Sequence, residues 1–300
     1  MDSVFAIAGF SKQAHSAYIA RKSESIDLSN FVSSLVAEIR ENNPRMGLKK
    51  IYALFQPDII GRDNFIEQGI RLGLSLPKPR NFQRTTYSNK RLRIENKAAE
   101  VIINDINQVW VSDITYFPVK SIFYYITFLM DVYSRYIVGF IASPDLRAES
   151  TLKALQMALK TRENADLSGL IHHSDRGVQY GSDMYLKALS DNKIIPSMCD
   201  SVYENTHIER VNGTIKNEYL LYRNINNYAD LCKHLERDVY SYNHERPHWS
   251  IGAISPAKYE KLLLSTPIEE RSKMRLFKEQ KVVFQNKQSQ IFENIESCNQ

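Results

Sequence analysis

The apolar positions of this chain change their period along its length. Between residues 30 and 75 they recur at helical spacing. "NFVSSLVAEIRENN" sets Phe31, Leu35 and Ile39 four apart, "PRMGLKKIYALF" aligns Leu48, Ile51, Tyr52 and Phe55, and "RDNFIEQGIRLGL" aligns Phe65, Ile66, Ile70 and Leu72. Pro44 and Gly47 punctuate the first two segments, so short helices joined by tight turns are expected, with Lys49, Lys50, Arg62 and Arg71 facing outward. That layout fits a helix-turn-helix, with a small bundle carrying solvated charges as the plainer reading. From residue 109 the period becomes two. "VWVSDITYFPV", "FYYITFLMDVYS" and "YIVGFIAS" are three β-rich runs split by short turns, the spacing of a meander. A helix over 148–161 follows, then a strand at "LIHHSD", a helix through "SDMYLKALSDN", a strand at "KIIPSM" and a further helix within "DSVYENTHIERVNGTIKNEYLL". Three antiparallel strands followed by alternating helices and strands predict an α/β unit with a mixed five-stranded sheet. The expected organisation is a helical domain over 1–76, a basic linker over 77–106, the α/β core over 107–262 and a tail over 263–300.

Charge adds a partner class to this picture. Of 39 Lys and Arg against 34 Asp and Glu in the 300 residues, the first 105 residues hold 16 and 11, so the whole excess of five lies there. A basic first third beside a neutral remainder suits a polyanion, and the Lys- and Arg-rich stretch at 78–98 suits a path along phosphates or a solvated linker. The three cysteines, Cys199, Cys232 and Cys298, form no CxxC pair, which argues against a zinc knuckle or a disulfide framework. No basic segment precedes the short apolar run at the start, and no run approaches about 18 apolar residues. A reducing cytoplasm and no membrane span are expected.

The candidate chemistry lies in carboxylates. Asp113 interrupts a β run, where an acid is disfavoured and an inward carboxylate needs a partner. Asp175 ends a strand at "HHSDRG", where a turn cap is the simpler role. In "DSVYENTHIERVNGTIKNEYLL" both Ser201–Glu204 and Thr206–Glu209 have the spacing of a capping box, and one helix has one start. Ile208, Val211, Ile215 and Tyr219 or Tyr222 form the apolar face of that helix, with Glu209, Asn212 and Lys216 as a stripe beside it. Glu218 falls off the stripe and reads as exposed. Asp131, which follows an apolar strand, reads as a turn cap. His172-His173 with Cys199 and His207 matches no zinc spacing, so His172 is expected to pack in the strand and His173 to order the site or touch phosphate. Arg246, in a turn at "RPH", is either a phosphate ligand or structural. Three carboxylates converging from two strands and a helix would bind divalent cations through oxygen, and spacing alone leaves open whether they meet.

Five ordered motifs resemble a known family: "NQVWVSDITYF", "DVYSRYIVGF", "HHSDRGVQYGS", "YENTHIERVNGTIKNE" and "YNHERPHWSIGAISPAKY". Over residues 30–260 the chain resembles the OrfB-type transposase of the insertion-sequence group numbered three, within the retroviral-integrase-like DDE superfamily. The resemblance implies a ribonuclease-H-like fold, with Asp113, Asp175 and Glu209 as the acids that hold two Mg²⁺, or Mn²⁺ in their place. It makes Lys216 a DNA contact near the cleavage point and leaves Glu204 at a position preceding the third acid. It further implies phosphodiester cleavage and strand transfer on double-stranded DNA, action as a homo-oligomer, and an upstream-frame protein as fusion or partner. Asn212, Arg246, Lys49, Lys50, Arg62 and Arg71 are the further DNA contacts expected. One departure stands out: 33 residues separate Asp175 from Glu209, fewer than the family's usual gap. The competing expectations are a non-catalytic binder of element DNA and a ribonuclease-H-like nuclease without strand transfer.

Overall fold

A computed structural model describes residues 11–77, 94–199 and 206–277. The chain enters as α1 (Lys12–Asn42), opened by Ser11, whose hydroxyl accepts the Ala14 N–H at 3.0 Å. The helix stops where Pro44 disfavours helical geometry in the residue before it. Only its second half packs. Val32, Leu35 and Val36 are buried, whereas Tyr18, Ile19 and Ile26 are exposed. The sequence pattern placed the helix start near residue 30 because the preceding turns carry no apolar stripe. α2 (Leu48–Phe55) and α3 (Arg62–Arg71) complete a small core around Val32, Val36, Ile51 and Phe65. The outer ends of the expected stripes fall outside that core, since Phe55 and Ile70 are more than half exposed.

The α/β core contains a five-stranded sheet. After a two-residue β1 (Ile102–Ile103), strands β2 (Val109–Val119), β3 (Ile122–Asp131) and β4 (Ile137–Ser143) form an antiparallel meander. The chain crosses through α4 (Ala148–Thr161) to β5 (Ile171–Ser174), which runs parallel to β2, and then through α5 (Asp183–Asp191) to β6 (Ile195–Met198), parallel to β5. The order is β4-β3-β2-β5-β6, the ribonuclease-H-like arrangement. Period-two alternation sends Trp110 to a layer with Leu129, Ala154, Leu155 and Tyr185, and sends Val109 and Val111 to the opposite layer with Ile208, Val211 and Leu235. Gly139 on β4 is required by close approach, because a Cβ there would stand 2.2 Å from the Ala154 carbonyl of α4.

The second layer is built by α6 (Thr206–Thr214), α7 (Tyr228–His244) and α8 (Pro256–Leu263). α6 continues as a π-helical segment, Ile215–Tyr219, and a 3₁₀ turn, Leu220–Tyr222. Tyr219 rather than Tyr222 completes its apolar face, being 1% exposed against 49%. Whether helix precedes Thr206, and with it the capping role of Glu204, lies outside the described residues, as does the basic stretch at 78–93. The tail expected from residue 263 does not begin as one. β7 (Met274–Arg275) pairs with β1, Leu276 is buried, and Arg271 bonds Asp105 and the Leu263 carbonyl.

The helical domain docks through the C-terminal end of α1. Arg223 donates to the Glu41 and Asn42 carbonyls at 3.0 and 2.6 Å, satisfying orphan acceptors where the helix dipole favours a cation. Arg223 also pairs with fully buried Asp238. The Asn43 amide donates to Glu245 at 2.7 Å and accepts from the Tyr219 hydroxyl at 2.9 Å.

Candidate functional site

β2 is the central strand, and the register of its neighbour sets the site. Ser112 pairs with Ser174 across the parallel β2–β5 ladder, so the next residues, Asp113 and Asp175, leave adjacent strands at the same level. Asp175 lies just past the strand end, where its Oδ1 accepts the Gly177 N–H at 3.0 Å. A Cβ on Gly177 would stand 3.0 Å from that same oxygen, so glycine gives the carboxylate its room.

α6 crosses the Asp113 face of β2 and β3. The Asn212 Nδ2 donates to Asp113 Oδ2 at 2.7 Å, and the Lys216 amine donates to Thr115 Oγ1 at 2.9 Å. Asn212 to Lys216 is about 6 Å of helix rise, and Asp113 to Thr115 is about 6.6 Å of strand. The helix therefore tracks the strand, and the stripe expected from sequence meets alternate residues of β2. Lys216 also lies 5.1 Å from the Tyr116 ring centre, a cation–π contact. Glu209 is one turn before Asn212 on the same stripe.

The charges of the other two acids bear on Asp113. The Asp113 pKa is pushed up to about 8, first by burial, then by the Asp175 charge and, more weakly, by Glu209. The Ile114 N–H and the Asn212 amide oppose this without cancelling it. Asp175 is also raised by burial, against the Gly177 N–H. Burial lowers the Lys216 pKa, with the nearby Asp113 charge opposing. On the other face of β2, the Ser112 hydroxyl bonds both the Phe128 carbonyl (3.0 Å) and the Tyr180 hydroxyl (2.9 Å), fixing the strand beneath the site. Among the described residues, no three His, Cys, Asp or Glu side chains are gathered tightly enough to hold a metal ion. The donor chemistry nevertheless suits a hard dication: the set is all oxygen, burial and then like charges raise Asp113, and the buried Asn212 Oδ1 beside it has no hydrogen-bond partner among the described residues.

The remaining predicted residues fall in several places. Lys49 is exposed, Arg62 pairs with Asp63 at 2.9 Å, and Arg71 with Glu67 at 2.7 Å. Lys50 and Arg246 both turn to Glu218. Arg246 makes a fork to its two oxygens at 2.9 and 2.8 Å, and the Lys50 amine lies 3.4 Å from each. The expectation of an exposed Glu218 is thus overturned: it sits half-buried between two cations from opposite ends of the chain. Sequence reasoning missed this because the partners lie 28 and 168 residues away. Asp131 is the turn cap expected, accepting N–H bonds from Tyr133, Ser134 and Asn107. His172 and His173 are both buried. His172 bonds Tyr185, and His173 bonds Ser197 and Cys199, which leaves neither ring at the surface to meet a phosphate. A cleft of about 530 Å³ opens beside α6, with Arg45, Arg210, Gly213 and Asn217 in its wall.

Comparison with known proteins gives the family. Two models described as integrase core domain match residues 104–203 and 193–256. An insertion element IS600 31 kDa protein of Shigella sonnei is 34% identical over 210 residues, covering 67% of this chain and 75% of that one. The transposase InsF for insertion sequence IS3A of Escherichia coli (strain K12) is 30% identical over 199 residues, covering 63% and 67%. Among solved structures, the HTLV-2 integrase catalytic core domain in complex with magnesium aligns at 19% identity with a TM-score of 0.43, covering 51% of this chain and 96% of that one. The chain belongs to the integrase-core transposases of insertion sequences, the IS3-type DDE transposases.

Proposed function

We propose that this chain cuts and rejoins double-stranded DNA at the ends of an insertion sequence, with Asp113, Asp175 and Glu209 as the three acids of the reaction. The observation that carries the reading is the ladder register that sets Asp113 level with Asp175 on the adjacent strand, under the helix that carries Asn212 and Glu209, with the Asp113 carboxyl pushed up to about 8 by burial and then by the charges of the other two acids. Desolvation and neighbouring acids together hold this carboxyl neutral, and a bound dication would relieve both. Proteins with this core work with divalent metals. Here the three carboxylates would hold two Mg²⁺ ions, or Mn²⁺ in their place, and bound ions supply an activated attacking oxygen and a stabilised leaving oxygen.

The chain's own residues do the rest. Asn212 holds one Asp113 oxygen and so fixes the carboxylate's plane. Lys216 offers a cation two residues along the strand, where a phosphate next to the scissile bond would lie. In the first step water attacks phosphorus, the P–O3′ bond breaks, and a free 3′-OH and a 5′-phosphate result. In the second step that 3′-OH attacks a target phosphodiester, losing its proton as one P–O bond forms and another breaks, so the number of phosphodiesters is conserved. Lys49, Arg62 and Arg71 in the helical domain are in place to follow phosphates away from the site. Further copies of the chain on DNA, and an upstream-frame protein joined to it or bound by it, are the partners proposed.

The test is direct. Purified protein with element-end duplex and Mg²⁺ or Mn²⁺ is expected to give a nick bearing a 3′-OH. Asp113→Asn, Asp175→Asn and Glu209→Gln are each expected to lower the rate by at least about three orders of magnitude without loss of fold. An active Glu209→Gln beside an inactive Glu204→Gln would overturn the assignment of the third acid.

A further inference from the structure

Lys216 and Glu218 lie two residues apart in the π-helical segment, and each is anchored on a different side. At α-helical pitch two residues are about 200° apart around the axis, so one side chain meets the sheet while the other turns away from it. Lys216 reaches Thr115 and the Tyr116 carbonyl on β2. Glu218 takes the Arg246 fork from the turn after α7 and the Lys50 amine from the helical domain, and its own carbonyl accepts the Arg45 N–H at 3.2 Å. Tyr219, next in line, bonds Asn43. Five residues of the helical domain thus grip this stretch: Asn43, Arg45 and Lys50 hold the segment that follows the catalytic stripe, and Glu41 and Asn42 hold Arg223 just beyond it.

Charge makes Glu218 the keystone of that grip. Arg246 is 7% exposed, and a buried guanidinium needs a counter-charge with matched geometry, which the two-oxygen fork supplies. His248 beside it offers no charge of either sign, because burial and the cations Arg246 and Lys50 push its pKa down to about 2. Burial alone would raise the Glu218 pKa, but the hydrogen bonds and charge of Arg246, followed by Lys50, hold it below its ordinary value. On the other side, Lys216 bonds only neutral oxygens of β2, and a long amine held by neutral groups needs its backbone fixed to stay there.

We propose that Glu218 is the positioning residue for Lys216: by locking the π-helical segment to Arg246 and to Lys50 of the helical domain, it holds the Lys216 amine over β2 beside Asp113. Docking of the helical domain and orientation of the site's cation then become one event. The contribution to DNA joining rests on the function proposed above, whereas the positioning itself does not.

The first measurement needs neither DNA nor metal. The full chain is labelled with acetic anhydride, and acetylation at Lys216 is read by peptide mass spectrometry. Glu218→Gln is expected to speed Lys216 labelling about fivefold, and Lys50→Met, which leaves the Arg246 fork intact, about twofold. Alkylation of buried Cys199 by iodoacetamide serves as the check on the rest of the fold and is expected to stay slow in both variants. Unchanged Lys216 labelling in Glu218→Gln overturns the proposal, and so do equal gains at Lys216 and Cys199, which report general loosening. In the joining assay Glu218→Gln is expected to lower the single-turnover rate about tenfold, with Lys216→Ala adding less than about twofold on top, because the two act through one amine. Losses that multiply overturn the proposal. Wild-type chain that joins nothing counts against the function proposed above, and the labelling result still decides the role of Glu218.

Discussion

Two aspartates stand three ladder steps apart in the same sheet, and their surroundings are opposites. Asp131 pairs across the ladder with Trp110, and Asp113 with Phe128. Asp131 is fully buried and Asp113 half-buried, and both pKa values are raised, in each case first by loss of solvent around the carboxyl. Asp131 gathers the N–H groups of Tyr133, Ser134 and Asn107, mostly from its own turn, and the one acid near it, Glu260, is tied to Arg162. Asp113 has one N–H from its neighbour, one amide from a helix 99 residues away, and two acids pressing on it. A supporting carboxylate is one whose oxygens are already spoken for by fixed donors, and a working one keeps electrostatic demand that only a ligand can meet. The direction of the pKa shift alone does not tell them apart.

The sharpest way to break this comparison is to neutralise each acid. Asp113→Asn is expected to abolish cleavage and joining, as set out above, while Asp131→Asn keeps activity per folded molecule. Stability should move the other way. An amide at 131 turns an acceptor of a backbone N–H into a donor facing one, costing about 1–3 kcal/mol. An amide at 113 can keep the Ile114 N–H, and Asn212 can turn its unpartnered oxygen toward the new NH₂, so its melting temperature should hold or rise. Equal destabilisation by the two substitutions would erase the distinction.

A smaller effect concerns pH. The Asp113 carboxyl ionises near 3.8 in the unfolded chain and near 8 in the fold, so between those values the folded state binds more protons. Its contribution to stability therefore falls as pH rises from about 4 to 8 and levels off above. Asp113→Asn should flatten that slope in denaturant melts. The same proton must leave before a dication binds, so the rise in melting temperature caused by Mg²⁺ should grow with pH up to about 8 in the wild type only. The smallest effect lies outside both aspartates. Lys49→Ala should weaken binding of element-end duplex about two- to threefold and reduce the salt slope by about one. No change there would remove the helical domain's exposed lysine from the proposed path of the DNA.

What the sequence made legible follows periodicity. The runs around Trp110, Ile126 and Val138 were readable as a meander, and the stripe of Glu209, Asn212 and Lys216 was readable as one edge of a helix. The structure carries that edge onto Asp113 and Thr115 because helix rise and strand rise keep step. Three things were not legible. The first half of α1 buries nothing, so no pattern marks it. The β1–β7 pairing is two residues long and joins positions 102 and 275, too short to alternate. Glu218 draws its role from Lys50 and Arg246, and nothing near it in the chain announces either. Contacts fixed by local rise can be read from a sequence, and contacts fixed by domain docking cannot.

The π-helical segment has a consequence for which changes in length the chain can tolerate. Its hydrogen bonds span one residue more than those of an α-helix, so Ile215–Tyr219 holds, in effect, one inserted residue. The wider turn takes up that residue, so the helix beyond keeps the face it would have had without it. Removing one residue between Asn212 and Glu218 should therefore let the helix close into regular α geometry with Glu218 still turned toward Arg246 and Asn212 still on Asp113. Adding one more residue there should instead turn everything beyond by about 100°. In this one turn a deletion should be milder than an insertion of the same length.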